Sequence, residues 1–134
     1  MLTLSHKVSC RGIPSSEIDS VWSIAKPLIQ KALDQGSDFT IEEIHEGLLE
    51  ASMQLWLWGE ETALVTRIQS NRRKKFCLLL ALGGSSMSEW LQYLPSLEDW
   101  ARDQGAEEVR IYGRAGWSKV LGYDIDYVTM SKKL

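Results

Sequence analysis

The chain has 134 residues, 15 Lys+Arg against 18 Asp+Glu, and a net charge of −3. With 44% hydrophobic and 25% charged residues it has ordinary globular composition, which excludes wholesale disorder and a collagenous chain and fits one domain spanning 1–134. Two cysteines (Cys10, Cys77) and two histidines (His6, His45) are too few for a disulfide framework or a Cys/His zinc cluster, so no metal is expected.

No apolar run approaches the roughly 18 residues of a membrane span. The start, Met1-Leu-Thr-Leu-Ser-His-Lys, lacks a long apolar signal region, so a reducing cytoplasm is the expected compartment. Charge is placed unevenly. Residues 1–61 hold four basic and ten acidic side chains, whereas 62–134 hold eleven basic and eight acidic. Much of the second-half excess is Arg67 and the run Arg72, Arg73, Lys74, Lys75. The negative total argues against general nucleic-acid binding, although a basic tip facing an acidic partner is compatible with it.

In chain order, Leu2 to Ser9 reads as a short strand and Cys10 to Pro14 as a loop. Ile18, Val21, Trp22, Ala25, Leu28, Ile29, Ala32 and Leu33 make one helical stripe. Pro27 lies inside it and should bend or divide the helix near Lys26. Gly36 is its stop signal. Thr40 and Glu43 form a capping box for a second helix with Ile41, Ile44, Leu48 and Leu49 inward, ending near Ser52. Met53 to Trp58 is a strand, Gly59 to Glu61 a turn, Thr62 to Gln69 a strand, and Ser70 to Arg73 a turn. Phe76 to Leu82 is apolar throughout, as a strand covered on both faces should be. The three strands suggest an antiparallel meander.

Gly83-Gly84-Ser85 reads as a turn. Ser86 and Glu89 form a second capping box, for a helix that Pro95 interrupts and Gly105 stops. Glu107 to Tyr112 is a strand, Arg114 to Leu121 a short helix, and Tyr123 to Met130 a final strand. The order β-α-α-β-β-β-α-β-α-β predicts an α/β fold with a central mixed sheet and helices on both faces.

Two junctions are candidates for chemistry. At Gly83, Gly84, Ser85 and Ser86 a buried strand gives way to a helix N-terminus, where free N–H groups and the dipole favour an anion. The competing reading is an ordinary capped turn. The second junction is Gly113-Arg114-Ala115-Gly116-Trp117-Ser118-Lys119-Val120-Leu121-Gly122-Tyr123. There Arg114 and Trp117 are candidate interaction residues, as are Arg72, Arg73, Lys74 and Lys75 on their turn. Among the six tryptophans, Trp22, Trp90 and Trp100 lie on helical stripes and read as core. Trp56 and Trp58 share one strand face opposite Leu55 and Leu57. That strand is either covered on both sides or leaves an aromatic patch for a partner. His45 reads as a solvated or capping residue and Cys77 as a small buried hydrophobe.

The element order and the Leu121-Gly122-Tyr123 step, with Trp117 at an aromatic position, resemble the GNAT acyltransferase superfamily. Those enzymes transfer an acyl group from coenzyme A to an amine. Their pyrophosphate loop reads Gln/Arg-x-x-Gly-x-Gly/Ala, and their last helix and strand commonly read Phe-Tyr-x-x-Leu-Gly-Phe. The resemblance implies a single-domain GNAT-like fold and places acetyl-CoA, if one is used, on Gly83, Gly84, Ser85 and Ser86. This chain departs from the pattern. The stretch from Leu80 to Ser86 has no leading Gln or Arg, and its glycines are adjacent. Ser118 stands where many members carry the tyrosine that protonates the leaving thiolate, and a serine hydroxyl is a poor replacement. No histidine falls in the core strands to act as base.

The run Gly-Arg-x-Gly-Trp, with a Gly-Tyr strand leading to Lys-Lys-Leu, is similar to small GNAT-like proteins of tailed phages and prophages. That group is similar in fold to an internal virion protein of short-tailed phages. This resemblance implies a catalytically degenerate domain, located in a virion or in host cytoplasm, that binds other virion or host proteins. It leaves nucleic acid a weak alternative and self-association open. The competing reading is an acetyl-CoA-dependent N-acetyltransferase acting on an amine.

Overall fold

The computed structural model describes residues 10–84, 87–112, 117–126 and 130–134, leaving out the side chains of 87–89 and 117. The elements are β1 (Cys10–Ile13), a 3-10 turn (Ser15–Glu17), α1 (Ile18–Leu33), α2 (Ile41–Leu49), β2 (Gln54–Trp58), β3 (Thr62–Ser70), β4 (Lys75–Gly84), α3 (Met87–Asp103), β5 (Glu108–Ile111) and α4 (Trp117–Leu121). The sheet runs β1-β2-β3-β4-β5. Every pair is antiparallel except β4 and β5, which run parallel.

Strand alternation divides the side chains between two cores. Leu55, Leu57, Ala63, Val65 and Ala81 face α1 and α2, where they meet Ile18, Ala25, Ile29, Ile44 and Leu48. Trp58, Leu64 and Leu79 face α3, where they meet Trp90, Leu94 and Leu97. Helices therefore cover both faces of the mixed sheet, as expected. The α2 capping box is present. Glu43 N–H donates to Thr40 Oγ1 at 3.1 Å, and Thr40 N–H donates to Glu43 Oε1 at 2.9 Å. A bulge between Val65 and Thr66 leaves Leu80 opposite no residue, since Val65 pairs with Ala81 and Thr66 with Leu79.

Several expectations are corrected. Cys10–Ile13 is a strand, not a loop, because its backbone pairs with Trp58 through Leu55. The strand expected over 2–9 lies outside the described residues. Neither proline divides its helix: α1 runs through Pro27 and α3 through Pro95. Pro27 is exposed, and so is Ser23, whose carbonyl loses its partner. Water can satisfy that carbonyl, and the packed stripe holds the helix together. Gly83 and Gly84 are not a turn; β4 carries on through both, paired with Ala63 and Thr62. Tyr123–Asp126 and Met130 form no strand, and 127–129 lie outside the described residues, as does the second capping box at Ser86.

Candidate functional site

The junction after β4 is shaped by close backbone approach. A Cβ on Gly83 would stand 1.8 Å from the carbonyl oxygen of Leu28 in α1. A Cβ on Gly84 would stand 2.1 Å from the carbonyl oxygen of Glu61, and its φ of +134° is one that side chains disfavour. Both glycines are thus required by the chain's own packing. The room they open is filled by α1 on one side and by the β2–β3 turn on the other. Only residues 85 and 86, which lie outside the described residues, separate the paired end of β4 from Met87 at the start of α3.

A pyrophosphate loop needs consecutive backbone N–H groups with space in front of them. Here both glycines are paired with β3, and carbonyl oxygens of Leu28 and Glu61 crowd the side of each on which a Cβ would stand. The glycine pair is thus sheet backbone, unlike the alternating glycines of a Gln/Arg-x-x-Gly-x-Gly/Ala loop, and Ser85 and Ser86, the rest of the expected cradle, lie outside the described residues. The parallel pairing of β4 with β5 covers Phe76–Leu79 against Glu108–Ile111 and stops there, while β4 continues to Gly84.

The basic run lies on the β3–β4 hairpin. Asn71 Oδ1 accepts from the N–H groups of Arg73 and Lys74, both at 2.9 Å, and this fixes the tip. Arg72, Arg73 and Lys75 are exposed. Lys74 instead reaches Glu108, which also accepts from Arg110 Nε at 2.9 Å. The hydrogen bond from Lys74, then that from Arg110, holds the Glu108 carboxyl below the usual range, and Glu108 raises Lys74 in return. The run therefore divides into one structural lysine and three exposed cations. Arg114 and the Trp117 side chain lie outside the described residues.

Sequence reasoning missed two arrangements. His45 is not simply solvated: its ring stacks on Trp22 at 4.1 Å and 10°, and its Nε2 lies 2.9 Å from Asp19 Oδ1, tying α2 to α1. The spacing of Asp19 and Trp22 on one helix turn was the available signal. Tyr123 donates to Glu98 Oε2 at 2.7 Å, and Ser118 Oγ donates to the Tyr123 carbonyl at 2.6 Å. Ser118 thus closes the end of α4. Burial, then the bond to Glu98, pushes the Tyr123 hydroxyl pKa far up, so this phenol stays protonated. It belongs to a cavity of about 280 Å³ that Glu98, Arg102, Glu107 and Val109 also line.

The remaining aromatic and thiol expectations are settled by burial. Trp56 and Trp58 are covered by α3, so no aromatic patch is left on that strand. Trp90 is core, whereas Trp22 and Trp100 are only half-buried. Cys77 is buried, and burial pushes its thiol up to about 11.

No protein-family model and no curated protein sequence matches the chain. Solved structures do. An aminoglycoside acetyltransferase from an uncultured soil metagenomic sample superposes with a TM-score of 0.68 at 11% identity, over 98% of this chain and 99% of that one. A mutant of the BH1408 protein of Bacillus halodurans gives 0.66 at 7% identity, over 94% and 99%. A Pyrococcus furiosus protein, provisionally described as an acetyl transferase, gives 0.63 at 15% identity, over 94% and 100%. The fold is accordingly that of the GNAT-type acetyltransferases, a mixed α/β sandwich. At these identities the likeness is one of architecture, and architecture alone does not carry an activity.

Proposed function

We propose that this chain is a GNAT-fold protein without acyl-transfer chemistry, serving as a protein-interaction component of a phage particle. One observation carries the first half: the glycines that would cradle a cofactor's phosphates are paired within the sheet and face carbonyl oxygens of Leu28 and Glu61. Two residues support the same reading. Ser118 is engaged with the Tyr123 carbonyl, and the Tyr123 hydroxyl is committed to Glu98. Neither is arranged to exchange a proton with a thiolate. The second half is supported by the resemblance of the Gly113–Tyr123 stretch to phage proteins and by the exposed basic hairpin.

Calorimetric titration with acetyl-CoA tests the first half. No saturable heat is expected with ligand up to about 1 mM, the weak end of specific binding. Micromolar binding would overturn it in favour of acetyl-CoA-dependent transfer to an amine, with Gly83, Gly84, Ser85 and Ser86 as the cofactor loop. Mass spectrometry of purified particles tests the second half. The chain is expected at a fixed copy number per particle, and absence from the particles would remove that role.

A further inference from the structure

The molecule carries two exposed charged surfaces of opposite sign whose members have no partners among the described residues. On α2, Glu42, Glu46 and Glu50 are exposed and recur every fourth residue, so they form one stripe. Leu49, 44% exposed, lies beside Glu46 and Glu50 and adds an apolar contact. On the β3–β4 hairpin, Arg72 and Arg73 are exposed on a tip that Asn71 holds in one conformation.

Behind that tip the sheet stays basic. Arg67 pairs with Leu78, and Leu78 pairs with Arg110, so the two arginines stand in one row on the same face. Arg67 lies 5.2 Å from the Phe39 ring centroid and Arg110 lies 3.9 Å from that of Phe76. Among the described residues the only carboxylate joined to this row by hydrogen bonds is Glu108, which Lys74 and Arg110 share; Glu107 sits alongside, against the Lys75 backbone. The Arg67 guanidinium donates to Gln69 Oε1 at 3.1 Å, and among the described residues its Nε is buried without a hydrogen-bond partner and no carboxylate pairs with it.

We infer that the hairpin tip of one copy docks on the α2 stripe of a second copy. Charge complementarity names the occupant. The acidic excess of residues 1–61 and the basic excess of 62–134 are each concentrated in one exposed surface, and the two surfaces are opposite in sign. Nucleic acid is the poorer occupant because the whole molecule is negative. The two surfaces are different, so the contact is head-to-tail. It propagates into a ring or an open filament rather than stopping at a symmetric dimer. The inference stands apart from the absence of transferase chemistry and fails separately from it.

Sedimentation velocity on the full chain tests it. At low salt the weight-average sedimentation coefficient rises with protein concentration past that of a dimer. At about 0.5 M salt, where screening is confined to a few ångströms, association weakens by about tenfold or more. Arg72→Glu with Arg73→Glu, and separately Glu46→Lys with Glu50→Lys, each give a monomer. Mixing these two variants restores association, because each retains the surface that the other has lost. A wild type that stays monomeric, a salt-insensitive oligomer, a tip variant that still associates, or an inert mixture overturns the proposal. So does a monomeric wild type that binds polyglutamate at low salt, since the tip then serves a different acidic protein. If a charge-reversed variant fails to fold, Arg72→Gln with Arg73→Gln takes its place and must weaken association.

Discussion

On the α1 and α2 face of the sheet the buried core is Ile, Leu, Val, Ala and one Met, and the aromatic residues packed against it are Trp22 and Phe39. On the α3 face it is built around Trp58, Trp90, Trp56, Trp100, Tyr93 and Tyr123. Aliphatic side chains need only shape and volume. Aromatic ones bring polar tips that must find partners inside. Trp56 Nε1 donates to Thr66 Oγ1 at 3.0 Å, and Thr66 in turn donates to Gln54 Oε1 at 2.9 Å. Tyr123 is met by Glu98. Trp58 Nε1 is buried with no hydrogen-bond partner among the described residues. Tight backbone contact is therefore concentrated under α1, and side-chain hydrogen bonding under α3.

The comparison breaks most sharply at Gly83. Gly83→Ala drives a Cβ into the Leu28 carbonyl, and a loss of at least about 3 kcal/mol is expected in urea unfolding. Ile29→Ala, which leaves a cavity at a fully buried site, should cost about 3 kcal/mol on the same face. Thr66→Val keeps the shape but strands Trp56 Nε1 and Gln54, and about 2 kcal/mol should be lost.

The alkaline limb comes next. Cys77 is held protonated to about 11 in the fold against 9.0 when free. Between those values the unfolded chain binds fewer protons than the folded one, so stability is intact below pH 9 and falls as pH rises toward 11. The fall should reach about 2 kcal/mol and shrink in Cys77→Ala, as thermal melts across that range would report. The smallest change sharpens the contrast. Trp58→Phe removes an orphan donor together with some packing, and it should alter stability by less than about 1 kcal/mol. A loss as large as that of Thr66→Val would mean that the indole N–H is satisfied after all.

Much of this architecture was legible in the residues. The stripe from Ile18 to Leu33 marks α1 by its period, and for α2 the period and the Thr40–Glu43 box agree. Pro27 and Pro95 misled, since a proline on an exposed face loses one hydrogen bond that water replaces while the opposite face stays packed. Cys10–Ile13 was illegible as a strand because its pairing partner lies more than forty residues later, at Leu55–Trp58. The glycine pair was the hardest position. Gly-Gly reads first as a turn and second as a phosphate cradle; the residues alone give no sign of a third case, a close backbone contact inside a strand. Only the tertiary approach of Leu28 and Glu61 chooses the last.

The clamp on Gly83 and Gly84 also sets what mutation can do with this scaffold. Exchanging single residues around them leaves α1 and the β2–β3 turn where they are, so no room is created. Under the proposed reading, an evolutionary or engineered route toward nucleotide binding would have to lengthen the segment between Gly84 and Met87. Selection from libraries of point variants should therefore come back empty, and insertion libraries are where a gain would first surface.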